Sequence, residues 1–169
     1  PRAQRAARRD PRCLQEPGPL AAHGHHRGEA DGLGTGIVGR YDKKLGYLRS
    51  IFDFDAGVRG TAAMTGVIND KGAWFFVDTH VQLDPSAEQI AEATLMASYR
   101  LKLFGIEPKV ALLSHSNYGS HTDASAQKMA HAYQILRQRA PKLEVDGEMM
   151  ADTAWDEALR QRIFPNTTL

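Results

Sequence analysis

KVALLSHSNYGSHTDASAQKMAHAYQILRQRAPKLEVDGEMM, residues Lys109–Met150, decides how this chain folds. KVALLS is a short apolar run of the kind that forms a strand covered on both faces. Between Ser125 and Arg139 the pattern changes: Met129, Ala132, Tyr133 and Leu136 recur at helical spacing, and Pro141 ends the run. LEVDGEMM then sets Leu143 and Val145 in the two-residue alternation of a strand. Strand, helix and strand in that order predict a crossover unit with parallel strands.

The same alternation extends outward. GAWFFVDTHVQL, Gly72 to Leu83, concentrates aromatic and β-branched residues as a buried strand does. DPSAEQIAEATLMASYRLKLFG predicts a helix with Asp84 as N-cap and Pro85 at its first position, where a missing N–H costs nothing. Ile90, Thr94, Ala97, Leu101 and Phe104 would share its inner face, and Gly105 would stop it. Leu45, Leu48, Ile51 and Phe52 suit one face of an earlier helix, and DEALRQRIF suits a short last one. The fold class expected is α/β, a mostly parallel sheet with helices on both faces.

Composition sets the outer limits. A chain of 169 residues suits one domain or a domain with part of another, and an apolar share of 42% is enough for a core. The formal net charge of +1 gives no strong field of one sign, so neither nucleic acid nor an acidic partner is expected. No apolar run reaches the roughly 18–20 residues a membrane-spanning helix needs, so no membrane partner is expected. The single cysteine, Cys13, can form no internal disulfide, which points to a reducing, cytoplasmic setting. Residues 1–27, rich in arginine, proline and histidine, show no apolar period and read as a disordered or non-native tail. Residues 28–169 read as the domain itself, incomplete at both ends. Within it, GLGTGIVG only loosely resembles a phosphate-cradling loop, because the full G-x-G-x-x-G spacing is missing.

The functional expectation follows from topology. Ligands of open α/β sheets gather beyond the carboxyl ends of the strands, where helix N-termini and loops offer N–H groups. Ser114, His115, Ser116, Asn117, Tyr118, Gly119 and Ser120 follow KVALL at such an end. Asp78, Thr79 and His80 follow the preceding strand, and Asp146, Gly147 and Glu148 the next one, so three strand ends are expected on one rim. The competing expectation is that these residues only cap helices and close turns. A metal set drawn from His80, His115, Asp78, Asp146 and Glu148 lacks any compact ligand spacing, and no metal site is expected. A triad of Ser114 or Ser116 with His115 and Asp146 lacks a nucleophile elbow, so no catalytic residue is assigned.

FGIEPKVALLSHSNYGS, SAQKM, RAPKLEVDGEMMADTA and RIFPNTTL, with RGEADGLGTGIVGRYDKKL and FFVDTHVQLDPSAEQIAEAT before them, closely resemble one family throughout. It is the phosphotransacetylase-like domain at the C-terminus of large bacterial NADP-dependent malic enzymes, and the resemblance runs from about Arg27 to Leu169. True phosphate acetyltransferases share the domain but usually carry an aromatic residue where this chain has His115; GRY at Gly39–Tyr41 also favours the malic-enzyme branch.

The resemblance implies two α/β subdomains around a cleft that binds coenzyme A and acyl phosphate in the transferases. In the malic enzymes it implies a regulatory, homo-oligomer-forming domain responsive to acetyl-CoA. NADP and Mg or Mn would serve a separate region that decarboxylates malate. It marks Ser114, Ser116, Asn117, Gly119 and Ser120, with Arg40, as candidate contacts for acetyl-CoA or phosphate. By itself the segment is expected to be inactive. The alternatives are a phosphate acetyltransferase and a purely structural dimerisation module.

Overall fold

The computed structural model describes residues 22, 24–35, 39–54, 58 and 60–169. The expectation for residues 1–27 therefore falls largely outside the described residues, and residues 36–38 of the glycine-rich GLGTGIVG also lie outside them. The chain divides into two units, residues 1–58 and 59–169.

In the first unit, helix α1 spans Tyr41–Ile51. Ile51 is buried with Ala22, and Leu33, Leu48 and Phe52 pack against them, so the expected Leu48, Ile51 and Phe52 face forms a small apolar cluster. His25 and His26 set their rings 5.7 and 5.8 Å from that of Phe52.

In the second unit, β1 (Met64–Asn69) and β2 (Gly72–Val77) form an antiparallel hairpin in register from Met64 opposite Val77 to Asn69 opposite Gly72. The strand expected in GAWFFV is present, but it is exposed or half-buried along its length. It pairs with β1 rather than with the parallel strands, so the expectation of a buried strand is corrected. One side of the hairpin is anchored where Trp74 stacks on Trp155 at 4.4 Å between ring centroids.

Helix α2 (Ala87–Leu103) begins two residues later than DP suggests. Ser86 is the N-cap: its hydroxyl accepts the Gln89 N–H while the Gln89 side chain accepts the Ser86 N–H, a complete capping box. Asp84 instead pairs with Lys128 on the following helix. At the other end Gly105, at φ +76°, donates to Lys102 O and Ile106 donates to Leu101 O, the paired bonds of a Schellman stop. Leu101 is buried as expected, whereas Phe104 is exposed; Ala87 and Ala91 are the residues of this helix buried in the main core, with Ile90 and Leu95 packed against it.

Next come β3 (Lys109–Leu113), α3 (Ala124–Arg139) and β4 (Glu144–Met149), with β3 and β4 parallel as expected. Leu112, Ala132, Leu136, Leu143 and Val145 join Ala87 and Ala91 in one core, with Met129 and Tyr133 packed against it. Burial of this strand–helix–strand core stabilises the unit by roughly 25 cal/mol per Å² of apolar surface removed from water. Short helices α4 (Ala151–Trp155) and α5 (Glu157–Ile163) follow; Asp156 caps the second by accepting the Leu159 N–H. The α/β class stands, built from one parallel pair and one antiparallel hairpin among the described residues. No helix among those residues is long and apolar enough to cross a membrane.

Candidate functional site

The loop from Ser114 to Asp123 leaves the carboxyl end of β3 and enters α3, as its position in the sequence requires. Its conformation is set by one buried carboxyl group. Ser116 is fully buried and donates its hydroxyl to Glu148 Oε1 at 2.9 Å, and the Gly119 N–H donates to the same oxygen at 2.6 Å. Ser116 Oγ accepts the His121 N–H at 3.1 Å in return. The backbone is tied down as well: Ser114 N–H donates to Met149 O and Tyr118 N–H to Glu148 O. Asn117 Oδ1 accepts the Met150 N–H at 2.7 Å. A buried acceptor left without a partner costs about 1–3 kcal/mol, so this set of bonds holds the loop against β4.

Between Asn117 and Ser120 the chain reverses through two residues at positive φ, Tyr118 at 47° and Gly119 at 83°, closed by the Ser120 N–H to Asn117 O bond. Glycine takes that conformation freely and tyrosine does not. Tyr118 is held there by its N–H bond to Glu148 and by packing on Phe164, ring centroids 4.4 Å apart. Burial pushes the Tyr118 phenol up to about 12, against a smaller opposing pull from Thr167.

The candidate contacts therefore divide. Ser114 Oγ accepts the Ser116 N–H and keeps a proton of its own to donate. Ser120 Oγ accepts the Asn117 N–H and stands 3.4 Å from Ser116 Oγ; because the Ser116 proton goes to Glu148, the Ser120 hydroxyl is the donor of that longer bond. Ser116, the Gly119 N–H and the Asn117 carbonyl oxygen are committed to the loop itself in this conformation. Arg40 belongs to the first unit, where it forks onto Asp42 with Nε–Oδ1 at 3.1 Å and Nη2–Oδ2 at 2.8 Å.

The three expected strand ends do not form one rim. Asp78 follows a strand of the separate hairpin, and its carboxylate gathers the N–H groups of Ala63, His80, Val81 and Gln82. Burial pushes its pKa up, but those four bonds together outweigh burial and hold it below the usual carboxylate range. Thr79 Oγ1 lies 2.8 Å from His80 Nδ1 and 3.0 Å from Thr65 Oγ1, so both residues serve the hairpin end.

Asp146 lies within β4 opposite Ala111, not beyond its end. It is buried and accepts the Thr167 hydroxyl at 2.7 Å, the Thr168 N–H at 2.9 Å and the Gly147 N–H at 2.9 Å. Burial raises its pKa and these donors more than reverse the effect, leaving it lowered. Gly147, at φ +126°, passes so close to β3 that an added Cβ would stand 2.8 Å from Leu112 O. Buried Arg160 donates to Thr153 O and Ala154 O, and more weakly to Leu169 O, fixing the last residues beside Asp146.

The metal-capable set is not the one imagined from the sequence. His115 is drawn toward His121 and Asp123, two residues given no role by sequence reasoning. Asp123 N-caps α3 by accepting Ser125 and Ala126 N–H groups on Oδ1, while Oδ2 meets His115 Nε2 at 2.7 Å. The His115 bond first, with the Ala126 N–H next, brings the Asp123 carboxyl down to about 2. An Asp immediately before the first helical residue was a legible cap signal; the spacing of the two histidines matches no familiar ligand motif.

Comparison with known proteins gives this geometry a family. The chain is 49% identical over 143 residues to a NAD-dependent malic enzyme of Rhizobium meliloti (strain 1021), and 44% identical to a NADP-dependent malic enzyme of Escherichia coli (strain K12). Each alignment covers 85% of this chain and 19% of the relative, so the chain spans about a fifth of the length of these malic enzymes. A phosphate acetyltransferase of Bacillus subtilis (strain 168) is 28% identical over 85% of the chain and 45% of its own length. Among solved structures, EutD phosphotransacetylase from Staphylococcus aureus superposes with a TM-score of 0.79 at 26% identity, covering 90% of this chain and 47% of that one. The profile of the phosphate acetyl/butaryl transferase family matches residues 6–169, and the chain belongs to that family.

Proposed function

We propose that this chain is the acetyl-CoA-responsive, subunit-joining domain of a malic enzyme, a protein that oxidatively decarboxylates malate to pyruvate. The observation that carries the reading is a difference in similarity. Malic enzymes aligned over 84–85% of the chain are 43–49% identical, whereas phosphate acetyltransferases aligned over 85% are 28–31% identical and one aligned over 59% is 39% identical. The ligand is acetyl-CoA or a related acyl-CoA or phosphate, whose acyl or phosphate end, rather than its pyrophosphate, meets the β3 loop at the Ser114 hydroxyl. Homo-oligomer formation and a cytoplasmic setting, the latter on the strength of the single cysteine, complete the reading.

A nicotinamide cofactor and Mg or Mn belong to the longer protein in this reading, and the relatives' names include both NAD and NADP. The β3 loop does not fit either group. Its N–H groups at Ser116, Gly119 and Ser120 are spent on Ser114, Glu148 and Asn117, leaving no cradle for a pyrophosphate there. The nearby His, His and Asp set is not the oxygen-rich shell that magnesium takes. In this reading the chain alone is inactive toward malate.

A second reading, a phosphate acetyltransferase moving acetyl between phosphate and coenzyme A, is favoured by the family profile and the phosphotransacetylase structures. Such chemistry needs donors aimed at a developing oxyanion. The test is to measure malate oxidation by the longer protein with and without acetyl-CoA, before and after removal of this domain. The expected result is that the response to acetyl-CoA disappears with the domain; a response that persists without it overturns the reading.

A further inference from the structure

His115, His121 and Asp123 converge on the exposed side of the loop between β3 and α3. We propose that they form a binding site for a divalent transition metal of the zinc class, held by two imidazole nitrogens and one carboxylate oxygen with water completing the shell. One ligand atom from each residue lies within 4.8 Å of those of the other two. His115 Nε2 is 2.7 Å from Asp123 Oδ2, and the two imidazole rings stand 5.2 Å apart, tilted by 55°. Zinc takes nitrogen and oxygen ligands at about 2.0–2.2 Å, so donors on a tetrahedral ion stand roughly 3.3 Å apart. The closest pair opens by about 0.6 Å and the widest closes by at most about 1.5 Å, within reach of rotations of exposed side chains.

The ligands stand on a fixed frame. Asp123 Oδ1 is occupied by the Ser125 and Ala126 N–H groups, which leaves Oδ2 aimed outward. Such outer-shell bonds orient carboxylates and imidazoles in metal sites. The His121 N–H is bonded to buried Ser116, itself locked to Glu148, so both histidines are carried by the tightest part of the loop. An ion pair alone would need only His115 and Asp123; it gives no reason for a second imidazole beside the first. Two imidazoles and a carboxylate suit zinc, copper or nickel, whereas calcium and magnesium favour shells of oxygen. This site does not depend on the acetyl-CoA reading.

The test titrates the chelator-treated chain with zinc chloride while histidine side-chain 1H–15N correlations are recorded. Per-residue detection is needed because the sequence also carries HGHH at residues 23–26. The expected result is that the His115 and His121 imidazole nitrogens shift together and saturate at one equivalent for this site. His121→Ala weakens binding at His115 by about tenfold or more, as loss of a ligand should. Asp123→Asn, which keeps a capping oxygen, weakens it similarly. Unmoved His115 and His121 signals at a tenfold excess of zinc overturn the proposal, as does wild-type affinity at His115 in a folded His121→Ala chain.

Discussion

Gly147 and Asp146, adjacent in β4, show how much single residues fix here. Gly147 combines a φ of +126° with a backbone oxygen 2.8 Å from where a Cβ would go, so no side chain fits without moving β3. Gly147→Ala should lower stability by about 2–6 kcal/mol, strain and overpacking each contributing about 1–3, read from a urea unfolding midpoint. Asp146 is lowered below its usual carboxylate range in the folded chain, so its contribution is present above its unfolded value near pH 4. It is lost as pH falls through the folded value. Asp146→Asn should therefore cost about 1–3 kcal/mol at pH 7 and progressively less below pH 4, measured as the difference between the two urea midpoints across that range. A constant difference down to pH 2.5 would exclude the charge as the cause. Neither role was legible from the residues alone: Asp146 and Gly147 read as strand-end polar groups, and only the docking of Thr167 and Thr168 gives Asp146 its partners.

At the scale of elements, local signals were dependable, and the pairing they implied holds for parallel β3 and β4 but not for the β1–β2 hairpin. Helices α2 and α3 and strands β3 and β4 follow directly from their periodicity, because each buries one regular stripe in the same core. The α2 start was misjudged because Asp84-Pro85 is a strong N-terminal signal, yet Ser86 and Gln89 also spell a capping box and win by satisfying two N–H groups at once. Ser86→Ala should cost about 1 kcal/mol, visible as a lower midpoint in thermal unfolding, whereas Asp84→Ala should cost less because the ion pair it loses is exposed. The hairpin was missed for another reason. MTGVIN carries Gly66 and Asn69, which dilute the strand pattern, and nothing local to GAWFFV tells an antiparallel neighbour from a parallel one.

The whole molecule joins a family fold to a loop whose polar groups largely face inward. Strand-end position made a ligand site plausible, but it could not tell which hydroxyls are spoken for: Ser116 turns to Glu148, Ser120 to Ser116, and Ser114 keeps a proton to offer. His115, which in the sequence tilted the reading toward the malic enzymes, is engaged with Asp123. In the proposed function this domain recognises acetyl-CoA without turning it over, which can be checked by calorimetric titration of the chain with acetyl-CoA, followed by assay of the same sample for acetyl phosphate after adding inorganic phosphate. The expected result is saturable binding at one site per chain with no acetyl phosphate formed; steady acetyl phosphate production, or no heat of binding at all, would overturn that function.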